Sequence, residues 1–314
     1  MSDIAVIGAG AWGTALALQA ARAGRVVTLW ARHAAPLREQ RESPHLPGFT
    51  LPEPIRIVDA LPSAPITLLA VPVQHVRAVA ADLPGSGTLV MCAKGVESNT
   101  HLLPLELLAG ILPNRPAVVL TGPNFAHEVA AGKPAAAVVA GIARDAVIAA
   151  LATPGFRLYG NDDAIGAQVG GAAKNVVAIA AGAVIGAGLG ENARAALVTR
   201  GLAELSRLAV ALGGRAETVT GLSGLGDLLL TCTGEKSRNF SLGLALGRGE
   251  TLEGILAGRN SVTEGVQTAP SLVARAQAVG VSLPICAAVA AVVTGQATVE
   301  AAVTALLARR LRNE

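Results

Sequence analysis

The hydrophobic positions change rhythm partway along the chain. In the first half, short continuous apolar runs alternate with longer stretches of mixed character. The runs are Asp3 to Ile7, Val26 to Trp30, Thr67 to Val71, Leu89 to Cys92, Ala117 to Leu120 and Ala136 to Ala140. Runs of this kind, flanked by Gly and Pro, suit strands buried on both faces of a mostly parallel sheet. Gly13 to Ala23, between the first two, reads as a helix. Strand–helix alternation predicts an α/β, Rossmann-like doubly wound domain, assigned to residues 1–163.

After Tyr159 the rhythm lengthens, and from about Gly166 the runs are alanine-rich and helical. Ala193 to Leu212 has helical apolar spacing and stops at Gly213-Gly214, a C-terminal signal. Pro270–Val279 and Leu283–Arg310 read as closing helices. An all-α domain is therefore predicted over residues 164–314. Val176 to Gly190 is nearly all Ala, Val, Ile and Gly, bounded by Lys174-Asn175 and Glu191-Asn192. It falls short of the roughly 20 residues a membrane span needs, so a buried core helix is expected instead.

Composition narrows the function classes. With 52% hydrophobic and 15% charged residues the chain can bury a sizeable core and is not a disordered one. A net charge of +3 without a Lys/Arg cluster, and only 2% aromatics, argue against nucleic-acid binding. Arg309, Arg310 and Arg312 suit a solvated helix terminus. Cys92, Cys232 and Cys286 are too scattered for a disulfide framework or a zinc site, and no His pair has metal-ligand spacing. No metal is expected, and a reducing cytoplasm is. No basic segment precedes Ile4-Ala5-Val6-Ile7, so no signal peptide is expected.

The first candidate chemistry lies at Gly8-Ala9-Gly10-Ala11-Trp12-Gly13, between a strand and a helix. That is the setting of the dinucleotide fingerprint. Gly8 permits the tight turn, Gly10 lets a pyrophosphate approach, and Gly13 lets helix and strand pack closely. The helix N-terminus offers its amides to the phosphates. The second strand ends at Trp30-Ala31-Arg32-His33, without the acidic residue an NAD-specific ribose site carries. Arg32 suits a 2′-phosphate instead, so NADP is slightly favoured over NAD, or both are accepted. The alternative is an ordinary surface arginine. Lysine, the basic side chain able to titrate when buried, occurs only at Lys94, Lys133, Lys174 and Lys236.

Further segments follow in order: Cys92-Ala93-Lys94-Gly95, Thr121-Gly122-Pro123-Asn124-Phe125-Ala126, Gly171-Ala172-Ala173-Lys174-Asn175-Val176, Gly221-Leu222-Ser223-Gly224-Leu225-Gly226-Asp227 and Ser237-Arg238-Asn239. With these, the chain resembles the bacterial-type NAD(P)-dependent glycerol-3-phosphate dehydrogenases. The resemblance runs from residue 8 to about 264. It implies interconversion of glycerol 3-phosphate and dihydroxyacetone phosphate, supplying phospholipid synthesis, in a homodimer without a membrane span.

The resemblance also implies roles. Lys174 is the proton acceptor; it begins an apolar helix, where desolvation lowers a lysine pKa toward the useful range. Its alternative is a lysine snorkelling from a buried helix. Lys94, Gly122, Asn124, Asp227, Ser237, Arg238 and Asn239 join it at the substrate, and Asn175 supports the site. Gly8, Gly10, Ala11, Trp12, Gly13, Arg32, His33, Lys94, Ala126, Arg238, Val262 and Glu264 meet the cofactor. Without the resemblance, Asp227 reads as a helix N-cap, Arg238 as part of a charged turn and Glu264 as a surface acid. The family's loop is usually GP[ST]FA, but Asn124 stands at the third position, and His45 stands where tyrosine is common. Two rivals remain at this stage. One is a β-hydroxyacid-type dehydrogenase, whose substrate carries a carboxylate. The other is a non-catalytic NAD(P)-binding sensor.

Overall fold

The computed structural model describes residues 2–258 and 263–310. One compact unit comprises the chain up to Lys94 together with Leu102–Gln168. Its strands are β1 (Ile4–Ile7), β2 (Val27–Trp30), β3 (Arg56–Val58), β4 (Ile66–Leu69), β5 (Thr88–Met91), β6 (Ala117–Thr121), β7 (Ala135–Ala140) and β8 (Phe156–Asn161). They form one sheet in the order β3-β2-β1-β4-β5-β6-β7-β8. Every neighbouring pair is parallel except β6 and β7. Helices α1 (Ala11–Arg22), α2 (Ala34–Gln40), α3 (Val73–Ala81), α4 (Pro104–Ile111), α5 (Ala126–Ala130) and α6 (Arg144–Leu151) lie between the strands.

All four residues of β1 are fully buried, as expected for a strand covered on both faces. Ile4 pairs with Val27 on one side and Ile66 on the other. The strand order thus reverses at β1, and the crevice beyond the strands' carboxyl ends at such a switch point is the usual ligand site. The expected Thr67–Val71 strand lies earlier, over Ile66–Leu69; Ala70 still donates to Ile7 O at 2.9 Å, and Ala70 and Val71 then pass beside Gly8. Strands β3 and β8 were not anticipated. Both are edge strands with exposed positions, so neither shows a continuous apolar run.

The second unit comprises Gly95–His101 and the chain from Val169 onward. Among its described residues the regular structure is all helical: α7 (Ala164–Gly186, entering from the first unit), α8 (Gly190–Ala211), α9 (Ala216–Thr220), a single π-helical turn (Leu222–Gly226), α10 (Asp227–Cys232), α11 (Arg238–Gly247), α12 (Leu252–Ala257), α13 (Glu264–Ala278), α14 (Pro284–Val293) and α15 (Val299–Leu307). Three expectations are corrected. Lys174 lies in the middle of α7, which has 23 residues and so is long and apolar enough to cross a membrane. Its apolar window is 83% buried inside the protein, and every residue from 169 to 182 is buried, as in a core helix apolar all round. The helix expected over Pro270–Val279 begins earlier, at Glu264, with Pro270 inside it. The helix expected over Leu283–Arg310 is two helices, broken at Gly295.

Helices α7 and α11 meet backbone to backbone. A Cβ on Gly182 would lie 2.0 Å from Phe240 O, and one on Gly243 would lie 1.9 Å from Ile179 O. Gly186 and Gly247 repeat the contact one turn along, against Leu244 O and Ala183 O. No side chain fits there, so these glycines set the spacing between the helix of Lys174 and the helix that begins at Arg238. Elsewhere in the unit, buried Glu204 of α8 accepts hydrogen bonds from Ile285 N (2.8 Å) and Cys286 N (3.3 Å) at the start of α14. Burial pushes its carboxyl above the ordinary value, against the pull of these amides and of Arg207.

Candidate functional site

The glycine turn does structurally what its sequence predicts. Gly8 has φ +112°, a conformation L side chains rarely adopt, and a Cβ there would touch Val71 and Ala70. A Cβ on Gly13 would lie 1.8 Å from Gly8 O, so helix and turn pack without room for one. Gly10 differs: nothing lies within 4 Å of where its Cβ would be. The fold places no neighbour there, and Gly10 is the N-cap residue of α1. The first turn of that helix has no side-chain cap and no acidic residue. Its amides and positive dipole end suit a diphosphate. Trp12 Nε1 is buried with no hydrogen-bond partner among the described residues. An open cradle, uncapped amides and an orphaned indole N–H together fit a dinucleotide.

Arg32 and His33 follow β2 after Ala31 and are exposed; His33 is the N-cap residue of α2. Asp59, after β3, bonds to Arg38 at 2.8 Å, which is an exposed ion pair. The 122–126 loop is held at two points in the same unit. Lys94 Nζ donates to Gly122 O at 3.1 Å, and Asn124 Nδ2 donates to Ala136 O at 3.1 Å. Asn124 Oδ1 is buried without a partner among the described residues. Gly122 has φ +142°, and a Cβ there would meet Ala137 Cα at 3.0 Å. Ala126 opens α5 and flanks the same apolar cluster as Ala11 and Trp12.

In the second unit, Lys174 Nζ lies 2.6 Å from Asp227 Oδ1 and donates to Thr231 Oγ1 at 3.1 Å. The Thr231 hydroxyl in turn donates to Asp227 O at 2.6 Å. Asp227 is fully buried and Lys174 nearly so. Burying both charges is costly, so the pair is evidence of a fixed position more than of stability. Asp227 is the first residue of α10, whose N-cap is Gly226, so the N-cap reading of Asp227 does not hold. Thr231, one turn further on, was not anticipated; its spacing of four from Asp227 on a helix was the available signal. Beside the pair, burial pushes the Cys232 thiol up to about 12, so it stays protonated and unreactive.

Ser237 caps α11, its Oγ accepting from Phe240 N at 3.2 Å. The cap is an interior bond, and Arg238 is exposed beside it in the first turn. Asn239 is buried and faces inward. Its Nδ2 donates to Asn175 Oδ1 (2.9 Å), and its Oδ1 accepts from Gly265 N (3.0 Å) at the start of α13. Asn175 Nδ2 reaches Glu264 Oε2 at 3.5 Å. Asn175, Asn239 and Glu264 therefore form one network beside Lys174. Val262 lies outside the described residues. No cluster of three His, Cys, Asp or Glu suited to a metal occurs among the described residues.

Family models match most of the chain. The N-terminal model of NAD-dependent glycerol-3-phosphate dehydrogenase covers residues 3–147, and the C-terminal one residues 163–304. A glycerol-3-phosphate dehydrogenase [NAD(P)+] of Acidiphilium cryptum is 57% identical over 99% of this chain and 98% of its own. One from Gluconobacter oxydans is 52% identical, over 98% and 97%. The crystal structure of a glycerol-3-phosphate dehydrogenase from Coxiella burnetii superposes with a TM-score of 0.92 at 36% identity, covering 98% of both chains.

Proposed function

The chain belongs to the NAD-dependent glycerol-3-phosphate dehydrogenase family, and from that premise we propose that it interconverts sn-glycerol 3-phosphate and dihydroxyacetone phosphate with NAD(P)+/NAD(P)H, supplying glycerol 3-phosphate for phospholipid synthesis. The observation that carries the reading is the buried Lys174–Asp227–Thr231 centre, a proton-bearing group held in one place on a core helix. A non-catalytic sensor needs the cradle but has no use for that centre.

The cofactor is NADP or NAD. The cradle from Gly8 to Gly13 holds its diphosphate, with Ala11 and Trp12 in the first turn of α1. Arg32 and His33 stand where β2 ends and take the adenosine ribose side; Arg32 favours a 2′-phosphate. Lys94, Ala126, Arg238, Val262 and Glu264 complete the cofactor contacts. When bound, the nicotinamide supplies the hydride.

The protein's own groups do the rest. Arg238 holds the substrate phosphate as a two-pronged donor at a helix N-terminus, where the dipole adds to its charge. Ser237 and Asn239 shape that terminus, Asn239 chiefly by fixing α11 to Asn175 and Gly265. Lys94, Gly122 and Asn124 meet the triose end. In the reductive direction Lys174 gives a proton to the ketone oxygen as the hydride reaches the carbon; in the oxidative direction its neutral amine removes the hydroxyl proton. Asp227 and Thr231 keep the Nζ aimed. The rate gain comes from positioning and fixed charge.

The division into a cofactor domain, 1–163, and a substrate domain, 164–314, is supported by the two family models, one ending at residue 147 and the other beginning at 163. A cytoplasmic location fits the three cysteines, all free and buried. Homodimer formation rests on the family resemblance, and size-exclusion chromatography tests it.

The test of the reaction is NADPH oxidation with dihydroxyacetone phosphate against phosphate-free dihydroxyacetone. Phosphate-dependent oxidation is expected. Equal rates, or none from folded protein that binds NADPH, would return the carboxylate-substrate dehydrogenase or the sensor. Parallel rates with NADH measure what Arg32 contributes.

A further inference from the structure

Helix α1 carries the cradle at one end. At its other end stand Gln19 and Arg22, the last residue of the helix, and Arg25 follows just beyond the turn at Gly24. Arg22 Nη1 donates to Val129 O at 2.9 Å, and Nη2 donates to Ala130 O. These are the last carbonyls of α5, groups no helix satisfies within itself. Arg25 does the same for α6, donating to Ala150 O at 3.0 Å and Ala149 O at 2.7 Å. Buried Gln19 braces both, accepting from Arg22 at 2.9 Å and donating to Leu151 O at 3.1 Å.

The two arginines thus perform one physical task on two helices, Arg22 tying the end of α5 to α1 and Arg25 tying the end of α6 to the turn that follows α1. What differs is the cargo. Helix α6 carries none of the proposed site residues. Helix α5 begins with Ala126 and follows directly on Gly122 and Asn124. It has five residues, far below the roughly 12 at which a helix holds itself. Its place is therefore set by tertiary contacts: Val129 and Ala130 are buried in the core cluster, and both ends are gripped by hydrogen bonds. The entering loop is gripped by Lys94 and by the Ala136 carbonyl, and the far end by Arg22.

We infer that Arg22 is a positioning residue for hydride transfer. By tying the carbonyl end of α5 to α1, it fixes the loop of Gly122, Asn124 and Ala126 relative to the helix that holds the cofactor's diphosphate. Cofactor affinity comes mainly from the cradle, so loosening α5 impairs alignment more than binding. The inference rests on the proposed reaction.

The experiment compares Arg22→Ala, Arg22→Lys and Arg25→Ala with the wild type, by amide hydrogen exchange and by steady-state kinetics. In Arg22→Ala, exchange should quicken over residues 126–131, and kcat should fall about 10-fold while the NADPH Kd moves less than about 3-fold. Arg22→Lys, which retains a donor for the same carbonyls, should recover most of the loss. Arg25→Ala should loosen residues 144–151 and keep kcat within about 2-fold. Wild-type kcat in Arg22→Ala despite faster exchange at 126–131 would overturn the inference. So would an equal kcat loss in Arg25→Ala. A wild type inactive on dihydroxyacetone phosphate would overturn the proposed reaction itself. The clamp would then be judged by exchange and by the emission of bound NADPH, which must change in Arg22→Ala and not in Arg25→Ala.

Discussion

The first unit offers backbone amides at the uncapped start of α1; the second holds a cluster of side chains, Lys174, Asp227 and Thr231. The cradle depends on what is missing, since a Cβ is excluded at Gly8 and Gly13 and only empty space meets it at Gly10. The lysine centre depends on what is present and buried, an ion pair of 2.6 Å that joins α7 to α10. A backbone site is damaged by adding atoms, and a buried ionic site by removing one partner. Each kind of damage should also leave the other site working.

The largest effect should come from removing half of the ion pair. Lys174→Met leaves Asp227 buried and uncompensated, and should lower unfolding free energy by about 3–5 kcal/mol in urea melts. Lys174→Met/Asp227→Asn removes both charges and should recover most of that. A double variant as unstable as the single one would mean the pair's packing matters more than its charge. Next come the glycines. Gly13→Ala forces a Cβ against Gly8 O and should cost about 1–3 kcal/mol, with loss of NADPH binding. Gly10→Ala meets no protein atom, so its melting temperature should be unchanged while its NADPH Kd rises by about 10-fold. If Gly10→Ala instead melts early with normal affinity, the open space is not a ligand's.

Arg238→Lys should act chiefly on the substrate, raising the KM for dihydroxyacetone phosphate by about 10-fold as a point charge replaces a planar fork. An unchanged KM removes Arg238 from the phosphate. The smallest effect is a drift with pH. Glu204, unlike Asp227, has no lysine, and burial raises its carboxyl pKa in the fold. A raised acid pKa contributes stability that is present below the unfolded value and lost as pH rises through the folded one. As pH rises above the ordinary carboxylate range the wild type should therefore lose stability relative to Glu204→Gln, which has no charge to bury. A constant gap in melting temperature would show the carboxyl unperturbed.

How much of this could be read beforehand depends on where the signal lies. Central strands announce themselves because burial on both faces makes them apolar throughout, as in β1. Strands β3 and β8 sit at the edges, where half-exposed positions such as Arg56 and Arg157 break the pattern. The cradle was legible because its glycines are adjacent in sequence. Lys174 and Asp227 could be named from their motifs, yet 53 residues separate them, and only the fold shows their contact. Thr231 and Arg22 belong to no motif and act through contacts made by folding. Lys174 was expected at the start of its helix because the apolar run begins after it; the Gly170-Gly171 pair before it is helical because tertiary packing overrides the weak propensity of glycine.

The separation of the two sites can be read in one stopped-flow experiment. The charge-neutral Lys174→Met/Asp227→Asn protein and the wild type are each loaded with NADPH and mixed with dihydroxyacetone phosphate. NADPH binding should match the wild type within about 2-fold, while the single-turnover rate of NADPH oxidation falls by about 10²–10⁴-fold. Equal losses in binding and oxidation would contradict that division of labour, and so would oxidation at the wild-type rate.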